Sequence, residues 1–282
     1  MAPTPSSTPL LFDRALLLRR QRRATALGAA DFLLDRVAED MNDRLAAVMR
    51  NFAAAADIWT PGEGLRAGLH QRLPSLTHIA ISESGAEVLP LANASLDLAV
   101  SALALQFVND LPGVLAQIRR VLRPDGLLLA AMIGGDTLTE LRQSFAAAEA
   151  ECEGGVSPRV APFADLRDLG ALLQRAGLAL PVTDLDRVVV RYANAFALMA
   201  DLRRMGATNV LIERRRTPTR RATLLRMAQI YAERFADPDG RIRATFDIIW
   251  LSAWAPHESQ PKPLKPGSAK FSLEEAVKKG RV

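Results

Sequence analysis

Cysteine is nearly absent from this chain. Cys152 stands alone, which excludes an internal disulfide and any metal centre built from several thiolates. Histidine is scarce too: His70, His78 and His257 are scattered, and no metal is expected. Lysine is missing from the body of the chain, because all five lysines lie at or beyond Lys262 and every earlier basic residue is arginine. Arginine suits planar recognition of anions, but abundant alanine and leucine fit compositional drift as well. Aromatic residues make up 5% of the chain. None interleaves with the densest basic run, Arg214-Arg215-Arg216 with Arg220 and Arg221, so no nucleic acid partner is expected. No apolar run is long enough to span a membrane, and Met1 to Leu10 is too rich in proline and serine for a secretory signal.

What is present is ample core material. The chain has 282 residues, 49% of them hydrophobic, and a net charge of +5. That allows one large domain with an insertion. Residues 11–50 have helical periodicity, with Phe32, Leu33, Val37, Met41, Leu45 and Val48 near one face. A strand–helix alternation follows. Ile79 to Ile81 is a short strand candidate, and Leu96 to Leu103 is a nearly continuous apolar strand of the kind covered on both faces. Asp110 to Val121 reads as a helix, capped by Asn109 or Asp110. Arg123-Pro124-Asp125-Gly126 turns into a strand over Leu127 to Ile133. Helices are expected over Thr137 to Glu151 and Asp165 to Arg175, strands over Arg187 to Tyr192 and Thr245 to Trp254, and a short helix over Leu273 to Lys278.

The whole reads as an α/β fold, a doubly wound Rossmann-like sheet. Residues 1–10 are expected to be flexible, 11–50 to be helices, 51–255 to form the main domain with a helical insertion at 194–236, and 256–282 to be a flexible tail. The ligand of such a sheet lies at the C-terminal ends of its strands, near the first strand–helix turn. Here that turn is Asp57-Ile58-Trp59-Thr60-Pro61-Gly62-Glu63-Gly64, after the apolar run Phe52 to Ala56. Spaced glycines let a backbone approach a nucleoside closely.

Several segments carry a resemblance. Leu89-Pro90-Leu91, Leu96 to Ser101 and Ile118 to Gly126 are similar to the class I S-adenosylmethionine-dependent methyltransferases. Phe107 to Pro112, Gly134 to Arg142, Asp201 to Asn209 and His257 to Gln260 resemble, more narrowly, the complex I assembly-factor branch of that superfamily. The resemblance implies a methyltransferase sheet and S-adenosylmethionine as cofactor. It also implies a protein client, an iron–sulfur subunit of the respiratory NADH dehydrogenase, modified by arginine hydroxylation. A related branch methylates malonyl-acyl carrier protein. The implied location is the cytoplasm, or the mitochondrial matrix in a eukaryote.

On that resemblance the cofactor-binding residues are Asp57, Gly62, Gly64, Glu83, Ser101 and Gln106, and no catalytic residue can be named. Three departures weaken the match. Trp59 stands where the family has its first motif glycine, so its indole is expected to take space belonging to the cofactor's methionine or ribose. The stretch from Gly64 to Asp97 is too short for the family's second strand, its helix and a third strand, which leaves Glu83 as the best ribose acid. Gln106 replaces a histidine of relatives, and an amide does not titrate. Three readings follow: a transferase-class enzyme of the assembly-factor type, a non-catalytic assembly scaffold with a decayed cofactor site, and a carrier-protein methyltransferase. The arginine run 214–221 offers an acidic protein or an anionic membrane surface a place to dock.

Overall fold

A computed structural model describes residues 10–261. The expected N-terminal tail to residue 9 and the short helix at Leu273 to Lys278 lie outside the described residues. Two helices come first, α1 (Arg14–Ala26) and α2 (Phe32–Ala47). Asp13 caps α1 by accepting from the Leu16 backbone N–H at 2.9 Å. Leu34, Val37, Met41 and Leu45 give α2 its buried stripe.

The sheet is built from β1 (Ala55–Ile58), β2 (Thr77–Ile79), β3 (Leu96–Ala102), β4 (Leu122–Gly134), β5 (Ala179–Tyr192) and β6 (Ile242–Trp254). Their order is β2-β1-β3-β4-β6-β5. The first four run parallel, and β6 is antiparallel to both its neighbours. Between the strands lie α3 (Gly64–Leu69), α4 (Leu111–Val121), α5 (Thr139–Glu153) and α6 (Leu166–Arg175). The insertion supplies α7 (Ala195–Arg204) and α8 (Arg221–Phe235). Helices cover both faces, so β3 and β4 are apolar almost throughout. One core layer joins α4 and α6 to the sheet through Leu115, Ile118, Leu169 and Leu173. The other joins α2 and α3 through Met41, Leu45, Leu65 and Leu69.

No helix or strand occupies residues 80–95, which leaves β2 at the sheet edge. Several boundaries differ from expectation: β2 is Thr77–Ile79 and not Ile79 to Ile81, and β4 starts at Leu122, so that Arg123 to Gly126 lies within it. The first strand is not Phe52 to Ala56: alanines hold a strand poorly, and pairing with β2 and β3 moves it to Ala55–Ile58, so that Asp57 lies inside it. The β5 strand starts well before Arg187. As an edge strand it alternates polar and apolar residues, which hid its first half. In α4, Asp110 accepts from the Gly113 N–H at 2.9 Å, and a Cβ at Gly113 would collide with that carboxylate.

Candidate functional site

A cavity of about 810 Å³ opens at the C-terminal ends of β1, β3 and β4. Pro61, Gly62 and Glu63 of the loop after β1 form one wall, Leu103 and Ile133 the floor, and α1, α7 and the segment before α8 the roof. Gly62 has φ +68 and nothing near a would-be Cβ, so the loop presents bare backbone to this space. Gly64 has a different neighbour: its would-be Cβ is 3.3 Å from Asp35 Oδ1 of α2.

Asp57 is fully buried and points away from the cavity. Its Oδ2 accepts from Arg66 Nη1 at 2.9 Å and lies 3.0 Å from His78 Nδ1. Arg66 in turn donates to the Gly62 carbonyl at 2.9 Å. The acid therefore shapes the glycine loop through Arg66. Burial works against the Arg66 charge, but its bonds to Glu63 and Asp57 outweigh that and hold its proton above the ordinary value.

Trp59 does not plug the cavity. Its side chain is 2% exposed, packed in the core layer with Ile79, Leu89 and Leu105, and it does not line the open space. Its backbone keeps the left-handed conformation of a glycine, φ 62, and its N–H donates to the Ile79 carbonyl at 2.9 Å. The Arg14 guanidinium covers the indole at 4.5 Å from the ring centroid. Arg14 is itself buried and donates to Glu87 Oε1 at 3.3 Å. Burial lowers the Arg14 pKa against the pull of Glu87. The Glu87 carboxylate also accepts from the backbone N–H groups of Asn109 at 2.7 Å and Asp110 at 2.9 Å. Asn109 Oδ1 accepts from Leu11 and Phe12, which ties the start of the chain to α4.

The expected cofactor residues are not brought together. Glu83 is 77% exposed in its side chain and pairs with Arg22 at the surface, away from the cavity, so it cannot hold a ribose there. Ser101 is buried and donates to the Ile58 carbonyl at 2.8 Å. Gln106 does line the cavity, but its amide is committed, donating to the Leu103 carbonyl at 2.7 Å and accepting from Ile133 N–H at 3.4 Å. Gly85 is in close contact with α1, since a Cβ there would stand 3.1 Å from Arg14 Cβ. These residues do not fit S-adenosylmethionine in the family's usual pose. The carboxylate expected on the ribose, Glu83, is turned outward, and α1 packs against Gly85 of the same loop.

The cavity has charged groups that sequence reading missed. Asp31, the N-cap residue of α2, lines it with no side-chain hydrogen bond to the helix. Burial and the neighbouring Asp35 raise the Asp31 pKa, with Arg204 opposing. Of the arginines, Arg214 pairs with Asp13 at 3.4 Å and Arg215 with Glu153 at 2.6 Å. The run from 214 to 221 is therefore not one outward patch: Arg214 and Arg215 are half-buried and turned to acids of the chain, while Arg216, Arg220 and Arg221 are exposed. Asp31 and Arg20 had no sequence signal beyond a helix cap and an arginine in a charged helix.

The methyltransferase domain family matches residues 46–130. The mitochondrial arginine-hydroxylase NDUFAF5 of Danio rerio is 36% identical over 96% of this chain and 91% of its own length. A malonyl-[acyl-carrier protein] O-methyltransferase of Xylella fastidiosa is 35% identical over 87% of this chain and 83% of its own. Among solved structures, the YcgJ protein from Bacillus subtilis superposes with a TM-score of 0.52 at 11% identity, covering 79% of this chain and 99% of that one, which is a likeness of fold.

Proposed function

Since the chain belongs to the methyltransferase-domain family that includes the NDUFAF5 arginine hydroxylases, we propose that it serves assembly of the respiratory NADH dehydrogenase by engaging an arginine of a protein client. An iron–sulfur subunit is the client the resemblance implies. The observation that carries this reading is the acidic rim at the glycine loop. Asp31 lines the cavity within reach of the Asp35 charge, and Asp35 lies against Gly64, while Glu63 is paired with Arg66. A guanidinium arriving beside Asp31 and Asp35 relieves the repulsion between them and gains charge-assisted hydrogen bonds. The work is done in the cytoplasm, or in the matrix if the chain is eukaryotic.

Binding of synthetic arginine-bearing client segments, measured by fluorescence anisotropy, tests this. Each segment is compared with a twin carrying citrulline, which keeps the shape and removes the charge. The arginine form should bind at least tenfold tighter, corresponding to about 1.4 kcal/mol, and Asp31→Asn should erase most of the preference. Equal binding of the two forms sinks the reading.

A second reading keeps S-adenosylmethionine, held in a different pose. It is favoured by the open, left-handed Gly62 and by the size of the adjoining cavity. In that reading the chain remains a transferase-type enzyme whose reaction is not fixed by the fold. A ligand at a hundred times its Kd adds about 2.7 kcal/mol of stability. Thermal unfolding with millimolar S-adenosylmethionine therefore decides: no shift leaves the assembly role without this cofactor.

A further inference from the structure

The client reading uses the acids of the cavity and leaves its arginines without a task. Arg20, Arg203, Arg214 and Arg216 line the wall. Arg20 Nη1 donates to the Asn209 carbonyl, and among the described residues Arg20, Arg203 and Arg216 take part in no ion pair within 4 Å. Burial and the nearby charges of Arg214, Arg23 and Arg19 lower the Arg20 pKa, and only Asp13 opposes them. Thr208 Oγ1 lines the same wall, buried and without a hydrogen-bond partner. A positive cluster with an unspent hydroxyl on a cavity wall lacks an anion.

The floor has the opposite character. Leu103, Ile133, Leu138, Leu141, Phe145 and Phe246 supply it. The two polar side chains among them are spent: Gln106 is bonded to the backbone of Leu103 and Ile133, while Thr137 Oγ1 donates to the Gly134 carbonyl at 2.7 Å and accepts from Asp247 N–H at 2.8 Å. No free side-chain donor or acceptor remains there to pair with a base or a peptide group. Hydrocarbon is the occupant such a surface favours.

We infer that the cavity binds a single-chain anionic amphiphile, with its head group on Arg20, Arg216 and Thr208 and its alkyl tail along Leu103, Leu138, Leu141 and Phe145. The volume lies within the range of small-molecule sites. The head-group residues are distinct from Asp31 and Asp35, which the client's arginine would meet. Filling the site also lowers the positive potential that an incoming guanidinium meets.

Isothermal calorimetry on the full chain tests this below the micelle threshold, with four probes: dodecanoate, dodecyl phosphate, dodecyltrimethylammonium and inorganic phosphate. Both dodecyl anions should bind at a stoichiometry near one, at least tenfold tighter than the cation and than inorganic phosphate. Preference between the two anions separates a fatty-acid source from a phosphate-headed lipid. Arg20→Gln should weaken the better anion at least tenfold, and the exposed Arg216→Gln supplies the same measurement if the α1 variant does not fold. Comparable affinity for the cation, equal affinity for bare phosphate, or no loss in either arginine variant overturns the inference. Arginine-against-citrulline selectivity is scored separately, so failure here leaves the client reading standing.

Discussion

Two sides of one strand end are treated in opposite ways. On one side of the loop after β1, Trp59, Arg14, Glu87 and Asn109 fill the space with a stacked cation, a shared carboxylate and a clamp on the chain's start. On the other side, past Gly62, the same loop borders open volume whose arginines and hydroxyl are not all paired. Filled space stabilises through packing and ion pairing even though two Arg14 nitrogens stay unbonded, and open volume is what binding sites keep. The departures from the family's first motif lie on the filled side. That half has gone over to packing, while the open half keeps the features of a site.

The sharpest way to break this contrast is Glu87→Ala. It strands the buried Arg14 and two backbone donors, so about 3 kcal/mol or more of stability should be lost, read by denaturant unfolding. An effect under about 1 kcal/mol means that the filled side is not structural. Next comes Trp59→Gly. Losing a buried indole costs about 3 to 5 kcal/mol, while relief of the left-handed strain returns only about 1 kcal/mol. A net loss with no gain in S-adenosylmethionine binding is expected, and improved binding would instead restore the indole as a barrier to the cofactor.

Acid separates the cavity's acids from the stability of the fold. Burial alone would raise the Asp247 pKa, but the bonds from Arg187 and the Asp136 N–H, with the Arg187 charge, outweigh it and hold the carboxyl below the usual 3.8. A depressed carboxylate contributes stability that is present above its unfolded pKa and lost as pH falls through its folded one. Asp31 is shifted the other way, so it loses its charge first on acidification. Client binding should therefore fall at a pH where circular dichroism still reports a folded chain; simultaneous loss of both would merge the two regions into one unit. The smallest effect belongs to Thr208→Val. Its unpaired hydroxyl contributes little, and the thermal midpoint should move by less than the equivalent of about 0.5 kcal/mol.

Much of the fold was legible because its signals are local. The apolar run at Leu96, the cap at Asp110 followed by Pro112, and Gly177 after α6 each fixed an element from its own residues. The alternation of strand and helix fixed the sheet class, and family membership supplied the rest. The site was less legible because it depends on contacts far apart in the chain. The Glu87 carboxylate receives groups from positions 14, 109 and 110, and the cavity's arginines come from α1 and from the segment before α8. Nothing in a row of letters places Arg14 over Trp59. The loop's glycines pointed to the right edge of the sheet, but Glu83 and Ser101 had other partners.

The backbone at Trp59 bears on how readily this position changes. Its φ of 62 is the conformation a glycine there would hold, so exchanging the two residues requires no rearrangement of the loop. In the genetic code the tryptophan codon becomes a glycine codon by one base change. A single point mutation therefore exchanges Trp59 for glycine, and what opposes the exchange is the lost packing under Arg14, not the path of the chain.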